Sequence, residues 1–224
     1  MYQPRQFVVN DTADLHAAMP AYPLGSLITF QDGELVADEI PFLLDPTPSA
    51  EHPNGVLKAH VARANPLWQK HDASKQVLVI FKGPQAYVSP SWYATKVEHG
   101  KVVPTWNYIV VQASGHLLQK DGDSAWLRTQ LDALTHSQES KRPAPWAVSD
   151  APDDYIAQIM KAIVGIEISI HSLAGKWKVS QNQPAANREG VVRGLTEPPH
   201  GLTDAAAVAL AVRDRSPAQT PSHP

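Results

Sequence analysis

Between Leu24 and Leu118 the sequence is cut into short apolar segments, each closed by turn-forming residues, and this punctuation limits the fold more than any other feature. Leu24-Gly25-Ser26-Leu27-Ile28-Thr29-Phe30 meets the turn Gln31-Asp32-Gly33, and a second apolar run extends from Leu35 to Leu44. Asp-Gly between two such runs predicts a hairpin. Pro41 predicts a strand edge or a bulge in its second arm. Gly55 opens a segment in which Val56, Lys58, His60 and Ala62 alternate with Leu57, Ala59, Val61 and Arg63, the period of a strand. Val77 to Phe81 is continuously apolar and reads as a buried strand, continuing past Gly83-Pro84 into Ala86-Tyr87-Val88. Ser89 to Gly100 reads as an irregular loop, and Trp106 to Gln112 as another strand reaching Leu118. Roughly five or six short strands in near-meander order predict a small antiparallel barrel.

Helical signals flank these strands. Asp11 or Thr12 caps a helix through Leu15, Ala18 and Met19 that should stop before Pro20 or Pro23. Asn65-Pro66-Leu67-Trp68 predicts one capped helical turn. Ser124 to Gln138 carries Leu127, Leu131 and Leu134 on one stripe. Ser149-Asp150-Ala151-Pro152-Asp153-Asp154 starts a further helix, with Tyr155, Ile159 and Ile163 spaced along one face and Gly165 closing it. Ile166 to Ile170 alternates as a late strand, Leu173 to Gln181 continues extended, and Pro184 to Leu195 predicts a last helix. The fold class is therefore α+β, mainly β. From Glu197 the composition changes: Pro198-Pro199-His200-Gly201 is a linker signal, Leu202 to Arg213 could form one helix, and Ser216 to Pro224 lacks core-forming residues. The expected division is a domain over 1–196 and an extension over 197–224, partly disordered.

The totals exclude several classes. The 22 acidic and 19 basic side chains leave a formal charge of −3, which supplies no basic footprint for DNA. There is no cysteine, hence no disulfide framework and no thiolate zinc site. No stretch of about 18 apolar residues exists to span a membrane, and the N-terminus shows no leader pattern. The cytoplasm is the expected location. G-x-S-x-G, G-x-G-x-x-G and P-loop signatures are absent. The histidines His52, His60, His71 and His99 lack metal-ligand spacing.

Four clusters place polar and aromatic groups beside predicted strands. In His60-Val61-Ala62-Arg63-Ala64-Asn65-Pro66, an Arg at a strand end and a capping Asn can hold a phosphate. A surface Arg beside a structural cap is the plainer reading. Ser89-Pro90-Ser91-Trp92-Tyr93 offers hydroxyls and rings, or a loop whose aromatics pack on the barrel end. Lys101-Val102-Val103-Pro104-Thr105-Trp106-Asn107-Tyr108 combines a cation, a hydroxyl, an amide and rings, or is a proline-initiated strand with core aromatics. Gly175 to Asn182 puts Lys176, Lys178 and Ser180 on one face, as a binding strand or a solvated edge. Cations, hydroxyls and rings together are what a phosphorylated aromatic cofactor needs.

These clusters, with Met1 to Phe7, Ile40-Pro41-Phe42-Leu43-Leu44, Tyr87-Val88 and Trp146 to Pro152, resemble the PaiB family of FMN-binding negative transcriptional regulators. The resemblance runs from Met1 to about Leu195. Asp38-Glu39 depart from it, being more acidic than the pair expected before Ile40-Pro41-Phe42. The resemblance implies an FMN-binding split barrel, a six-stranded Greek-key-like barrel with flanking helices, working as a homodimer with FMN between the barrels. It implies that Arg63 and Lys101 neutralise the phosphate, and that Asn65, Ser89, Ser91 and Thr105 bond phosphate and ribityl oxygens. Trp92, Trp106 or Tyr108 would wall the ring system, and Lys176, Lys178 and Asn182 would reach across from the partner subunit. The candidate cofactor-binding set is His60, Arg63, Asn65, Ser89, Ser91, Trp92, Lys101, Thr105, Trp106, Asn107, Lys176, Lys178 and Asn182, with no catalytic side chain and no metal ligand assigned. Three functions follow: a flavin-dependent regulator, acting on DNA directly or through a small molecule; a flavin-dependent oxidoreductase in which the cofactor carries the chemistry; or a haem-binding split barrel with His60 as first candidate ligand.

Overall fold

The structure, a computed structural model, describes residues 1–197 and 203–215. In chain order its elements are β1 (Val8–Val9), α1 (Thr12–Ala21), β2 (Leu24–Gln31), β3 (Glu34–Pro41), β4 (Leu43–Asp45), β5 (Val56–Ala62), α2 (Leu67–Lys70), β6 (Val77–Val88), α3 (Thr95–His99), β7 (Thr105–Lys120), α4 (Ser124–Glu139), α5 (Asp153–Met160), β8 (Ile163–Lys178), α6 (Ala185–Thr196) and α7 (Ala205–Asp214). A mainly antiparallel sheet with flanking helices is thus what forms. The short β1 and β4 raise the expected six strands to eight, and the hydrogen-bonded path, β3-β2-β6-β7-β8-β5-β4 with β1 on β8, is not closed. The chain divides into two compact units, a larger one of Asp11–Phe81 with Val111–Leu173 and a smaller one of Met1–Asn10, Lys82–Val110 and the residues from Ala174 on.

In the larger unit the expected hairpin forms between β2 and β3, in register from Leu24↔Pro41 to Gln31↔Glu34. Asp32 and Gly33 both take positive φ, 50° and 91°, as a two-residue turn matching strand twist requires. Pro41 ends β3, the sheet edge. The core is built from Leu27, Leu57, Ala59, Val79, Ile166 and Ile168, each fully buried, so of the two faces of β5 the one with Leu57, Ala59 and Val61 turns inward. Gly165, expected to close a helix, lies inside β8 and is buried. A Cβ there would meet the Trp126 ring at 2.2 Å. α5 already ends at Met160, and the spacing of Tyr155, Ile159 and Ile163 straddles a helix and the next strand. α1 runs one residue past Pro20, because a proline in the last turn removes only one helical donor.

In the smaller unit β1 pairs with β8, Val8 opposite Lys176. The segment expected to be an irregular loop is ordered: Ser89 Oγ accepts from the Ser91 N–H and caps a 3-10 turn, Pro90–Trp92. α3 follows and ends at Gly100, φ +65°. α6 packs against that turn. A Cβ on Gly190 would lie 1.9 Å from the Trp92 carbonyl oxygen, and one on Gly194 would lie 2.3 Å from its ring. α7 buries Ala205, Val208, Ala209 and Val212 against the unit. Its flanks are tied by Asp204 Oδ2, which accepts from the Gln85 N–H at 3.2 Å, and by Arg215, 5.8 Å over the Trp177 ring. The expected linker 198–201 and terminal stretch 216–224 lie outside the described residues.

Candidate functional site

The smaller unit holds a cavity of about 360 Å³ between the α3–β7 segment, the end of β8 and the start of α6. That size is within the usual range for small-molecule sites, about 300–1,000 Å³. Of the expected residues, Lys101, Thr105, Asn107, Lys178 and Asn182 line it, joined by Tyr93, Thr95, His99, Ser180, Gln183 and Asn187, and no carboxylate does.

The lining is pre-set by hydrogen bonds. Lys178 Nζ donates to Thr105 Oγ1 and, at 2.8 Å, to the Trp106 carbonyl. Asn107, 1% exposed, donates through Nδ2 to Ser180 Oγ at 2.9 Å. Ser180 is one of two non-glycine residues among those described with positive φ, +63°, a costly conformation that such sites retain. Asn187, 2% exposed, accepts from the Thr95 N–H at 3.1 Å and donates to Thr95 Oγ1 at 3.0 Å. Asn187 and Thr95 were not foreseeable: one reads as ordinary helix interior, the other as loop.

Electrostatics give the cavity its character. Lys176 is 8% exposed; its ammonium donates to the Tyr2 carbonyl at 3.1 Å and sits 5.3 Å from the Tyr108 ring centre. This is no solvated edge. Lys176, Lys178 and Lys101 have no acidic partner among the described residues. Burial, and then the neighbouring Lys176 charge, holds the Lys178 ammonium below lysine's ordinary pKa. Buried charges are normally paired, so this strand end is short of an anion. Burial also pushes the Tyr93 phenol up, keeping it a neutral hydroxyl.

The other expected residues are employed elsewhere. Within the smaller unit Ser89 caps the 3-10 turn, Ser91 Oγ accepts from Lys96 at 3.2 Å, and Trp92 packs on α6. Trp106 is half-exposed and meets Tyr87 edge-to-face at 6.3 Å. In the larger unit Arg63 pairs with Asp121 at 2.8 Å and donates to the Lys161 and Ile163 carbonyls. Asn65 accepts from the Leu67 N–H, starting α2, and donates to Asp38 at 2.9 Å. Glu39 accepts from Ser26 at 2.6 Å, so the departing acidic pair serves the larger unit's own packing. His60 is bonded to Gln130 at 3.0 Å and does not line the cavity. Among the described residues no group of three potential metal ligands occurs, and no helix is long and apolar enough to cross a membrane.

A family profile described as "Putative FMN-binding domain" matches residues 1–172. The chain belongs to this family. An uncharacterized protein of Emericella nidulans is 36% identical, covering 86% of this chain and 88% of the relative. The Bacillus subtilis "Protease synthase and sporulation protein PAI 2" is 28% identical, covering 87% and 89%. Among solved structures, the FAD- and haem-binding protein of Mycobacterium smegmatis matches with a TM-score of 0.52 at 17% identity, over 76% of this chain and 73% of that one. The fold is that of the split-barrel flavin-binding proteins, and FMN is the cofactor of the family. The cavity fits that cofactor's polar end: it offers ammonium groups, hydroxyls and amides, with no carboxylate to repel a phosphate.

Proposed function

We propose that the chain holds the FMN phosphate and ribityl chain in the cavity of the smaller unit and acts as a flavin-dependent regulator of the PaiB type. The uncompensated lysines at the end of β8 carry this reading. Lys101 and Lys178 neutralise the phosphate, Thr105 and Ser180 donate hydroxyl hydrogen bonds, and Asn107 and Asn182 engage ribityl oxygens. Lys176 acts from behind through its charge. The flavin, when bound, supplies redox chemistry that no side chain here provides.

The working form is a cytoplasmic homodimer in which the partner subunit completes the ring-binding wall. Its effect on transcription is negative and runs through flavin occupancy or a sensed small molecule, since a formal charge of −3 gives little electrostatic affinity for DNA. The test is titration of the full-length protein with FMN and with riboflavin. Lys101→Ala with Lys178→Ala should weaken FMN about 100-fold or more, two charge-assisted contacts being lost, while riboflavin binding stays within a few-fold. Arg63→Ala should leave the ratio of the two affinities unchanged. Unaltered FMN affinity in the double variant sinks the assignment.

A further inference from the structure

The larger unit has an opening of its own. A cleft of about 370 Å³ lies where the start of α4 and the end of α5 face the chain after β5 and the start of β8. Its walls are Leu127 from α4, Ala157 and Met160 from α5, and Ile163 from β8. Ala157 and Met160 are three apart and share a helix face. α5 buries none of its side chains fully, although it brings Tyr155, Ile156, Ile159 and Met160 to the surface. Interiors pack to crystal-like density, and apolar walls left unfilled lose contacts outright. This helix therefore roofs a space that its own unit does not fill.

The charges around the cleft identify what would fill it. Arg63 is occupied by Asp121 at 2.8 Å and by two backbone carbonyls. Lys120 is paired with Glu167 at 2.7 Å. The Asp123 carboxylate caps α4 by accepting from the Trp126 N–H at 2.9 Å. Lys161 lines the cleft, is exposed and has no acidic partner among the described residues. Arg63, Lys120 and Asp121 are ion-paired and Asp123 is held by the α4 N-terminus, so Lys161 is the cation of the lining without a partner among the described residues, beside an apolar wall.

We propose that this cleft binds a small monoanionic amphiphile, an aliphatic or aryl carboxylate whose head meets Lys161 and whose apolar body lies along Leu127, Ala157, Met160 and Ile163. The site is separate from the lysine cavity, shares no lining residue with it, and stands whether or not that cavity holds FMN. A flavoprotein with a second, carboxylate-accepting site could report on such a metabolite through its larger unit.

The experiment uses the full-length protein and anilinonaphthalenesulfonate, a fluorescent monoanionic amphiphile, with decanoate as competitor. Saturable binding at one site per chain, displaced by decanoate, is expected. Ala157→Trp fills the cleft from an exposed position and should weaken the probe about tenfold or more, the scale of losing a few buried methylenes. Lys161→Glu should weaken it about fivefold at low salt and less at high salt, as a partly exposed charge contact does. Lys141→Glu, an exposed charge not lining the cleft, should change nothing. The proposal is overturned if neither Ala157→Trp nor Lys161→Glu moves the affinity, or if Lys141→Glu weakens it as much as Lys161→Glu. Probe binding that falls as protein concentration rises also overturns it, because the cleft would then be covered by a second copy of the chain. If Ala157→Trp fails to fold, Lys161→Glu with its salt dependence decides the matter alone.

Discussion

The two cavities hold similar volumes and opposite chemistry. In the smaller unit, lysines crowd one strand end with no acid to meet them among the described residues. In the larger unit six of the nine Lys and Arg side chains are ion-paired, among them Arg63 with Asp121, Lys120 with Glu167 and Lys58 with Asp45. Matched charges serve the fold; an unmatched, half-buried cluster is held in place by the fold for something else. The difference also separates the expected residues. Arg63, Asn65 and His60 stand in the unit that holds the ion pairs found among the described residues, whereas Lys101, Thr105, Asn107, Lys178 and Asn182 converge around lysines that have no acidic partner there.

The sharpest break of this contrast comes from two glycines. At Gly190 an added methyl lies 1.9 Å from a backbone oxygen, which cannot rotate away. Gly190→Ala should destabilise by about 3 kcal/mol, and it should release FMN even where the chain stays folded, since α6 carries Asn187 and leads in from Gln183. Gly165→Ala forces the Trp126 ring aside in the larger unit. It should cost comparable stability while leaving FMN affinity unchanged under conditions where the protein is folded. Thermal unfolding paired with flavin titration reads both. Equal flavin loss in the two variants would mean that the units are not energetically separate.

That pair also shows where the sequence was legible. Alternation identified β5, and Asp32-Gly33 identified the β2–β3 hairpin, because burial on one face and a positive-φ turn leave local marks. Gly165 was misread because a glycine after an apolar helix usually caps it; the reason for this one is a tryptophan from another element. The cavity lysines, and Ser180 on the same strand face as two of them, were legible from residue type and alternation. Asn187 joins them only through bonds to Thr95, across 92 residues. Ser89, Ser91 and Trp92 matched a binding pattern equally well, and the structure uses them to build the wall's support.

A smaller effect concerns Lys178. Its folded-state pKa is lowered, first by burial and then by Lys176, so the unfolded chain binds more protons in the interval between the lowered and ordinary values. Without flavin, stability should therefore rise with pH through that interval. FMN affinity should move the other way, falling about tenfold as the ammonium loses its charge, the scale of one charge-assisted bond. Lys178→Arg, which keeps its charge across this range, should abolish the fall. A pH-independent affinity in the unaltered protein would place the phosphate away from Lys178. In the larger unit, Asp123→Ala removes the α4 cap and should cost about 1 kcal/mol with no change in FMN affinity at any pH.

The least effect is expected where charges are matched and wet. The Lys58 ammonium, 2.9 Å from Asp45, holds that carboxyl at about 2, helped by the Thr47 backbone N–H. A depressed carboxylate contributes stability above its ordinary pKa and loses it as pH falls through the folded value. With the Asp45 side chain 39% exposed, screening limits the contribution to about 0.5–1 kcal/mol. Asp45→Asn should show that deficit near neutrality, less of it in high salt, and almost none near the acid limit, where the native carboxyl is protonated too. Among the described residues the lysines of the smaller unit have no acid partner to titrate in this range, so unfolding followed by flavin release should show no matching acid step. A deficit that persists unchanged in strong acid would trace the effect to the shape of the amide rather than to its charge, and would remove Asp45–Lys58 from the set of matched pairs on which the contrast between the units depends.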